Sequence, residues 1–137
     1  MRHLLIVAMA IFAALLIACG GTDEGDEPKE EIKATMQAFY AALNDRDFSA
    51  AYGYLSSDCQ GTLTPSESQA RFENLLKIMP TGDLVLKDVQ IETLKGDEAV
   101  VRPDAVVVSE GKETSVDWLQ WVKRLVREDG HWRFHMC

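Results

Sequence analysis

The stretch LVLKDVQIETLKGDEAVVRPDAVVVS, residues 84–109, decides the fold class of this chain. Valine, leucine and isoleucine dominate it, and Lys95-Gly96-Asp97-Glu98 divides it at a turn. Residues of this kind on both sides of a turn predict two antiparallel strands. Pro103 lies inside the second strand, where it indicates an edge position or a bulge, because proline has no N–H for the ladder.

The strand pattern continues towards the end of the chain. Glu110-Gly111-Lys112 predicts another turn, and Glu128-Asp129-Gly130 predicts a hairpin turn that leads into a last strand over 131–136. The apolar residues between them, over 114–127, would also form one face of a helix. We interpret this segment as a strand with a bulge, so four antiparallel strands are expected.

Three helices are predicted before the strands. Apolar residues over 32–43 recur at helical spacing, directly after Pro28. Asp47 can cap a second helix, and Thr64-Pro65-Ser66-Glu67 is a capping box that begins a third, which ends at Pro80-Thr81-Gly82. Helices followed by antiparallel strands form an α+β fold, here three N-terminal helices packed on a curved four-stranded sheet.

The first residues of the chain predict an export signal. Residues 4–17 carry no charge and suit the apolar region of a signal peptide. Leu16-Ile17-Ala18-Cys19 resembles the lipobox of bacterial lipoproteins, which implies a signal peptide over 1–18 and a mature N-terminus at Cys19. Acyl chains on Cys19, palmitate among them, would then hold the protein in membrane lipid. The alternative is an ordinary secretory signal with a coincidental cysteine.

This reading predicts where the protein lies. It is expected on the extracytoplasmic side of the bacterial cell membrane, in the periplasm or on the outer surface. Residues 19–28 hold many carboxylates and almost no apolar side chain, which predicts a disordered, flexible acidic tether before a single domain over 29–137. The net charge of −8 argues against nucleic acid as a partner, because phosphate binding needs clustered Lys and Arg.

Two further cysteines remain, Cys59 and Cys137. An even pair in an oxidising compartment favours a disulfide bond. The alternative is two separate thiols, one buried and one at the C-terminus. No CxxC or HxxxH spacing surrounds either cysteine, so no metal site and no cofactor are expected.

Three motifs in order resemble one family. MQAFYAAL at 36–43, RDFSAAY at 46–52 and VREDGHWR at 126–133 are similar to the opening helix, the entry to the second helix and the closing hairpin of the nuclear transport factor 2-like superfamily, also called cystatin-like or ketosteroid-isomerase-like. Within it, the chain most resembles bacterial lipoproteins of unknown function. The resemblance implies a cone, made by a curved sheet around the first helix, with a pocket at its open end.

Enzymes of this superfamily hold an acid–base group in the cone, together with tyrosine in the isomerases. Two tyrosines here lie on apolar stripes, where packing in the core is the favoured interpretation, and strand carboxylates are usually solvated. The three tryptophans can line a ligand site or fill the core, and the core is the favoured interpretation. We assign no catalytic residue. The candidate pocket residues are Tyr40, Tyr52, Asp104, Asp117, Trp118 and His135.

The expected function is binding without catalysis, either of a small apolar ligand in the cone or of an envelope protein on the sheet. The alternative is a small pocket enzyme of the isomerase or dehydratase type, which would use an inward Asp or His with a Tyr. A homodimer formed through the exposed face of the sheet is a third hypothesis.

Overall fold

The computed structural model describes residues 26–137. The predicted signal peptide, the predicted lipidation site Cys19 and most of the predicted tether lie outside the described residues. Within them, no helix is long and apolar enough to span a bilayer. The described elements are α1 (Asp26–Asn44), α2 (Phe48–Gly53), α3 (Ser57–Thr62), α4 (Pro65–Ile78), β1 (Asp83–Lys95), β2 (Glu98–Ser109), β3 (Lys112–Ser115), α5 (Asp117–Gln120), β4 (Lys123–Glu128) and β5 (His131–Phe134).

The helices pack against a curled antiparallel sheet, which confirms the predicted α+β fold. Four strands follow one another in the order β1-β2-β4-β5, and the short β3 pairs with the far end of β2. The β1–β2 register shifts twice, between Leu86 and Asp88 and between Ile91 and Thr93. Such irregularities bend a strand and increase its twist, which curls the sheet around α1.

Pro103 lies in β2, at the centre of the sheet rather than at its outer edge. Its position is explained by a gap in the pairing: β4 pairs with β2 only as far as Val101, and β3 pairs from Val106 onward. Residues 102–105 therefore have a strand on the β1 side alone. The local edge tolerates proline as an outer edge would.

Helix α1 supplies the apolar side chains that face the sheet. Ile32, Met36, Phe39 and Leu43 are buried there, as the spacing predicted. The helix begins at Asp26, so Pro28 lies in its first turn and the last part of the predicted tether 19–28 is helical. Proline is tolerated in a first turn because the N–H groups there have no intrahelical partner.

The structure corrects two expectations about the elements. Three helices are expected before the strands, but the described residues hold four there, because the Ser56 side chain accepts a hydrogen bond from the Cys59 N–H and caps the short additional helix α3. The single bulged strand expected over 114–127 is wrong, because β3, α5 and β4 divide that segment. The turn of helix between the strands buries Leu119 completely.

Candidate functional site

A cavity of about 570 Å³ opens between α1 and α4 on one side and α5 with the start of β4 on the other. Ligand sites in proteins commonly have volumes of about 300–1,000 Å³. The lining consists mainly of aromatic and aliphatic side chains: Phe39, Tyr40, Leu43, Leu55, Leu63, Ser68, Arg71, Phe72, Asn74, Leu75, Ile78, Trp118, Trp121, Lys123, Phe134 and Met136.

Aromatic rings form the inner wall of the cavity. The Phe39 ring of α1 lies 4.7 Å from the Phe134 ring of β5 and 5.6 Å from the Phe72 ring of α4, measured between centroids. Because these rings are buried and in contact with one another, they give the cavity a rigid apolar surface.

The mouth of the cavity is also apolar. Ile78 at the end of α4 is 77% exposed, and Trp121 directly after α5 is 65% exposed, although both line the cavity. Val122 beside Trp121 is exposed as well. Exposed apolar side chains gathered at one opening are typical of sites that take up apolar molecules.

Lys123 is the charged group of the inner wall. It is the first residue of β4 and is only 8% exposed. Its Nζ donates a hydrogen bond of 2.8 Å to the Trp118 carbonyl and lies 5.5 Å from the centroid of the Trp118 ring. Within residues 26–137 no carboxylate forms a salt bridge with it. Burial lowers the pKa of Lys123 to about 8.

This pKa predicts how stability depends on pH. In the unfolded chain Lys123 regains an ordinary pKa near 10.5, so between pH 8 and 10 the unfolded state binds more protons than the folded state. The free energy of unfolding should therefore rise over this interval, by on the order of 1 kcal/mol because some solvent still reaches the amine. The other titratable groups of the cavity wall are Arg71 and Tyr40. Burial raises the pKa of Tyr40 above its ordinary value of 10.0, so its ionisation in the unfolded chain opposes the rise, but only towards pH 10.

Urea unfolding at pH 8 and pH 10 measures the rise. Lys123→Met should abolish it and should be more stable than the wild type at pH 7, whereas Lys112→Met, at an exposed position, should keep the rise. A rise of the same size in Lys123→Met would contradict the assignment to this amine.

Three residues of the lining carry buried polar atoms that have no hydrogen-bond partner among the described residues. They are the Tyr40 hydroxyl, the Ser68 hydroxyl and the Trp118 indole N–H. Buried polar groups are paired in most proteins, and leaving one unpaired costs about 1–3 kcal/mol. Three such atoms around one cavity are therefore an indication of a ligand with polar groups of its own.

The cavity gathers two of the six candidate pocket residues, Tyr40 and Trp118. The other four lie elsewhere: Tyr52, Asp104, Asp117 and His135. Asp104 and Asp117 are exposed to solvent. The Tyr52 hydroxyl lies 2.9 and 2.8 Å from the carbonyl oxygens of Gln60 and Leu63, so it fastens α3 to α2.

His135 belongs to a different cluster, beside the disulfide. Its Nδ1 lies 3.0 Å from the Ser56 hydroxyl and 3.9 Å from the Cys59 sulfur. The predicted bond between Cys59 and Cys137 is present, with the two Cα atoms 5.4 Å apart. Ligand atoms of these two cysteines and His135 come within 4.8 Å of one another, but the disulfide occupies both sulfurs and leaves them unable to act as thiolate ligands.

The tryptophans divide between core and cavity. Trp132 is buried in the core, as the favoured interpretation had it, and its indole N–H donates to Glu31. Trp118 and Trp121 line the cavity instead. The reason is α5, the turn of helix that the sequence interpretation lacked, which holds Trp118 beside Lys123 and leaves Trp121 at the mouth.

Lys123 is the residue that the sequence interpretation missed. A signal for it exists in the alternation of β4: Leu125 is buried, so Lys123, two positions earlier, must share its inward face. This signal can be used only when β4 is known to begin at residue 123. The bulged strand expected over 114–127 did not determine which of its side chains face inward.

The comparisons with known proteins concern the fold. No family model and no curated protein matches the chain. Among solved structures, a protein from Novosphingobium aromaticivorans with the provisional name aromatic ring hydroxylase is 18% identical, covers 80% of this chain and 85% of its own, and superposes with a TM-score of 0.57. The provisionally named dehydratase of the nuclear transport factor 2-like family from Streptomyces avermitilis is 15% identical, covers 80% and 92%, and has a TM-score of 0.56.

A third structure carries a family name without an activity. It is a nuclear transport factor 2-like protein of unknown function from Pseudomonas putida, 17% identical, with 80% of this chain and 82% of that chain covered and a TM-score of 0.50. At these identities the similarity establishes a shared fold.

Proposed function

We propose that this chain, which shares the fold of nuclear transport factor 2-like proteins, is a membrane-anchored extracytoplasmic lipoprotein whose domain binds a small, largely apolar ligand without catalysis. The observation that carries the proposal is the cavity: about 570 Å³, walled by aromatic and aliphatic side chains and open at an apolar mouth. Such a surface favours ligands that gain free energy by leaving water.

An isomerase-like or dehydratase-like enzyme is the weaker alternative. Two of the structural neighbours carry the provisional names hydroxylase and dehydratase, and these names describe those proteins only. General acid–base catalysis needs a carboxylate or imidazole near the substrate. Neither group occurs among the described residues that line the cavity, where the ionisable groups are Tyr40, Arg71 and Lys123.

A protein partner on the sheet, either an envelope protein or a second copy, is also less well supported. Ion pairs occupy the exposed surface of the strands, with Arg102 and Glu92 at 2.7 Å and Lys87 and Glu113 at 3.0 Å. Large exposed apolar side chains on the strands are few and separated, Val85 and Leu94. Protein-binding surfaces usually gather apolar side chains in one patch.

The binding proposal is tested with N-phenyl-1-naphthylamine, a neutral probe that fluoresces in apolar surroundings. The full-length wild-type protein should bind it with saturation. Leu75→Trp adds a ring to the α4 wall and should weaken binding at least tenfold, which is about 1.4 kcal/mol. Ala70→Trp, which adds the same ring at an exposed position of the same helix, should bind as the wild type does. Absence of binding by the wild type, or equal binding by all three proteins, would refute the proposal.

The anchor is tested separately. Cys19→Ala removes the sulfur that the lipobox signal would have lipidated, so the variant should lose its hydrophobic anchor or remain uncleaved. Membrane fractionation and the mass of the N-terminal peptide measure the change. If the wild-type peptide from Cys19 carries no acyl group, the lipoprotein assignment is wrong, whatever the cavity binds.

A further inference from the structure

We infer that the ligand of this cavity is an amphipathic monocarboxylate, whose carboxylate pairs with the Lys123 ammonium while its hydrocarbon part lies against the aromatic wall. The inference rests on the proposed function, because it names the class of molecule that the same cavity binds. Its support comes from the charge of the lining, from its hydrogen-bonding character and from the number of buried cations.

The charge of the lining is opposite to that of the protein. The chain has a net charge of −8, yet the formally charged residues of the cavity are both cations, Arg71 and Lys123. The long-range field of an acidic protein repels anions, so an anion must be selected by local contacts. Two cations without an acid in one apolar cavity provide that local selection.

The polar groups of the inner wall are mainly donors. Lys123 Nζ and Trp118 Nε1 can only donate hydrogen bonds, and the Tyr40 hydroxyl has a proton to donate. These Trp118 and Tyr40 groups have no partner among the described residues, and neither has the Ser68 hydroxyl, which can donate as well as accept. A carboxylate accepts several hydrogen bonds and donates none, so it complements this set, whereas an amine would add further donors.

The number of buried cations in the cavity indicates that the ligand carries a single negative charge. Lys123 is buried without an acidic partner in the described part of the chain, whereas Arg71 is exposed to solvent. Burying an unpaired charge is costly, and an anion of matching charge offsets that cost. A phosphate dianion would bring a second charge that the inner wall does not neutralise.

The rest of the cavity lining indicates what the other end of the ligand is like. Phe39, Phe72 and Phe134 also line the cavity, and Ile78 and Trp121 are its exposed apolar residues. A lining with one buried charge and a mainly apolar surface matches a molecule with one polar head and a hydrocarbon body.

Displacement of N-phenyl-1-naphthylamine from the full-length protein at pH 7 tests the inference with three probes of equal chain length. Decanoate should displace the dye at about tenfold lower concentration than decanamide, its neutral counterpart, and decylamine should be weakest. In Lys123→Met the advantage of decanoate should disappear while decanamide displaces as before. Lys112→Met should retain the full advantage.

Equal displacement by decanoate and decanamide in the wild type would overturn the inference, as would a decanoate advantage that survives Lys123→Met. The comparison within the wild type stands on its own if Lys123→Met does not fold. Failure of the dye to bind the wild type would refute the proposed function instead, so the two failures are distinguishable.

Discussion

Replacing Cys59 by Ser should lower the free energy of unfolding by about 4 kcal/mol. The bond to Cys137 closes a loop across a sequence separation of 78 residues, and restricting so long a loop in the unfolded chain accounts for a value of this size. Cys59 is also completely buried, so the variant places a hydroxyl in the core, where the imidazole of His135 is its nearby polar group. Equilibrium unfolding in urea, by circular dichroism, measures the loss.

Two controls separate the bond from the side chain. Cys137→Ser removes the same bond at an exposed position and should cost nearly as much, and the wild type treated with a reductant should approach both variants. Thiol counting on the unfolded wild type should find neither Cys59 nor Cys137 free. If both react as free thiols, the disulfide does not form in the protein.

Replacing Gly82 by Ala should cost about 3 kcal/mol. Gly82 joins α4 to β1 with φ of +148°, a conformation that residues with a side chain rarely adopt. A Cβ atom there would lie 2.5 Å from the Val108 carbonyl oxygen and 2.9 Å from a Val107 methyl carbon. The backbone of β2 would have to shift to relieve these contacts, and both strain and overpacking are costly.

Gly96→Ala is the matched control. Gly96 also has a positive φ, +57°, but nothing lies within 4 Å of the position a Cβ would take. This variant should lose about 1 kcal/mol, the cost of the left-handed conformation alone. If thermal unfolding gives the two variants equal stability, the close approach of Gly82 to β2 does not constrain the fold.

Local signals in the sequence were sufficient for most of the fold. The apolar stripe of α1, the capping box at Thr64 and the turns at residues 95–98 and 128–130 each depend on neighbours within a few positions, and each is found in the structure. The segment 114–127 was not predictable in the same way. Its four-residue helix α5 has no side-chain cap and exists because Leu119 is buried against β2, a contact that only the tertiary structure provides.

The candidate site was less predictable than the fold for a related reason. Tyr40 and Trp118 could be identified because aromatic residues suit both a core and a cavity. Lysine is usually exposed, so Lys123 becomes a candidate only when the strand register turns it inward. Asp104 and Asp117 were considered for their chemistry, but each lies on an outward face. Burial, more than residue type, therefore distinguishes the residues that line the cavity from the two exposed aspartates.

The gap in strand pairing along β2, over residues 102–105, has a consequence for aggregation of the protein. An unpaired strand segment normally invites a strand from a second molecule, which is a route to aggregation. Over residues 102–105 pairing with a second strand is disfavoured. Pro103 has no N–H to donate, and the Ala105 carbonyl already accepts a hydrogen bond from the Gln120 side chain. The charged side chains of Arg102 and Asp104 are exposed there as well. Even at high protein concentration, this incomplete part of the sheet should therefore not pair with a strand of a second molecule.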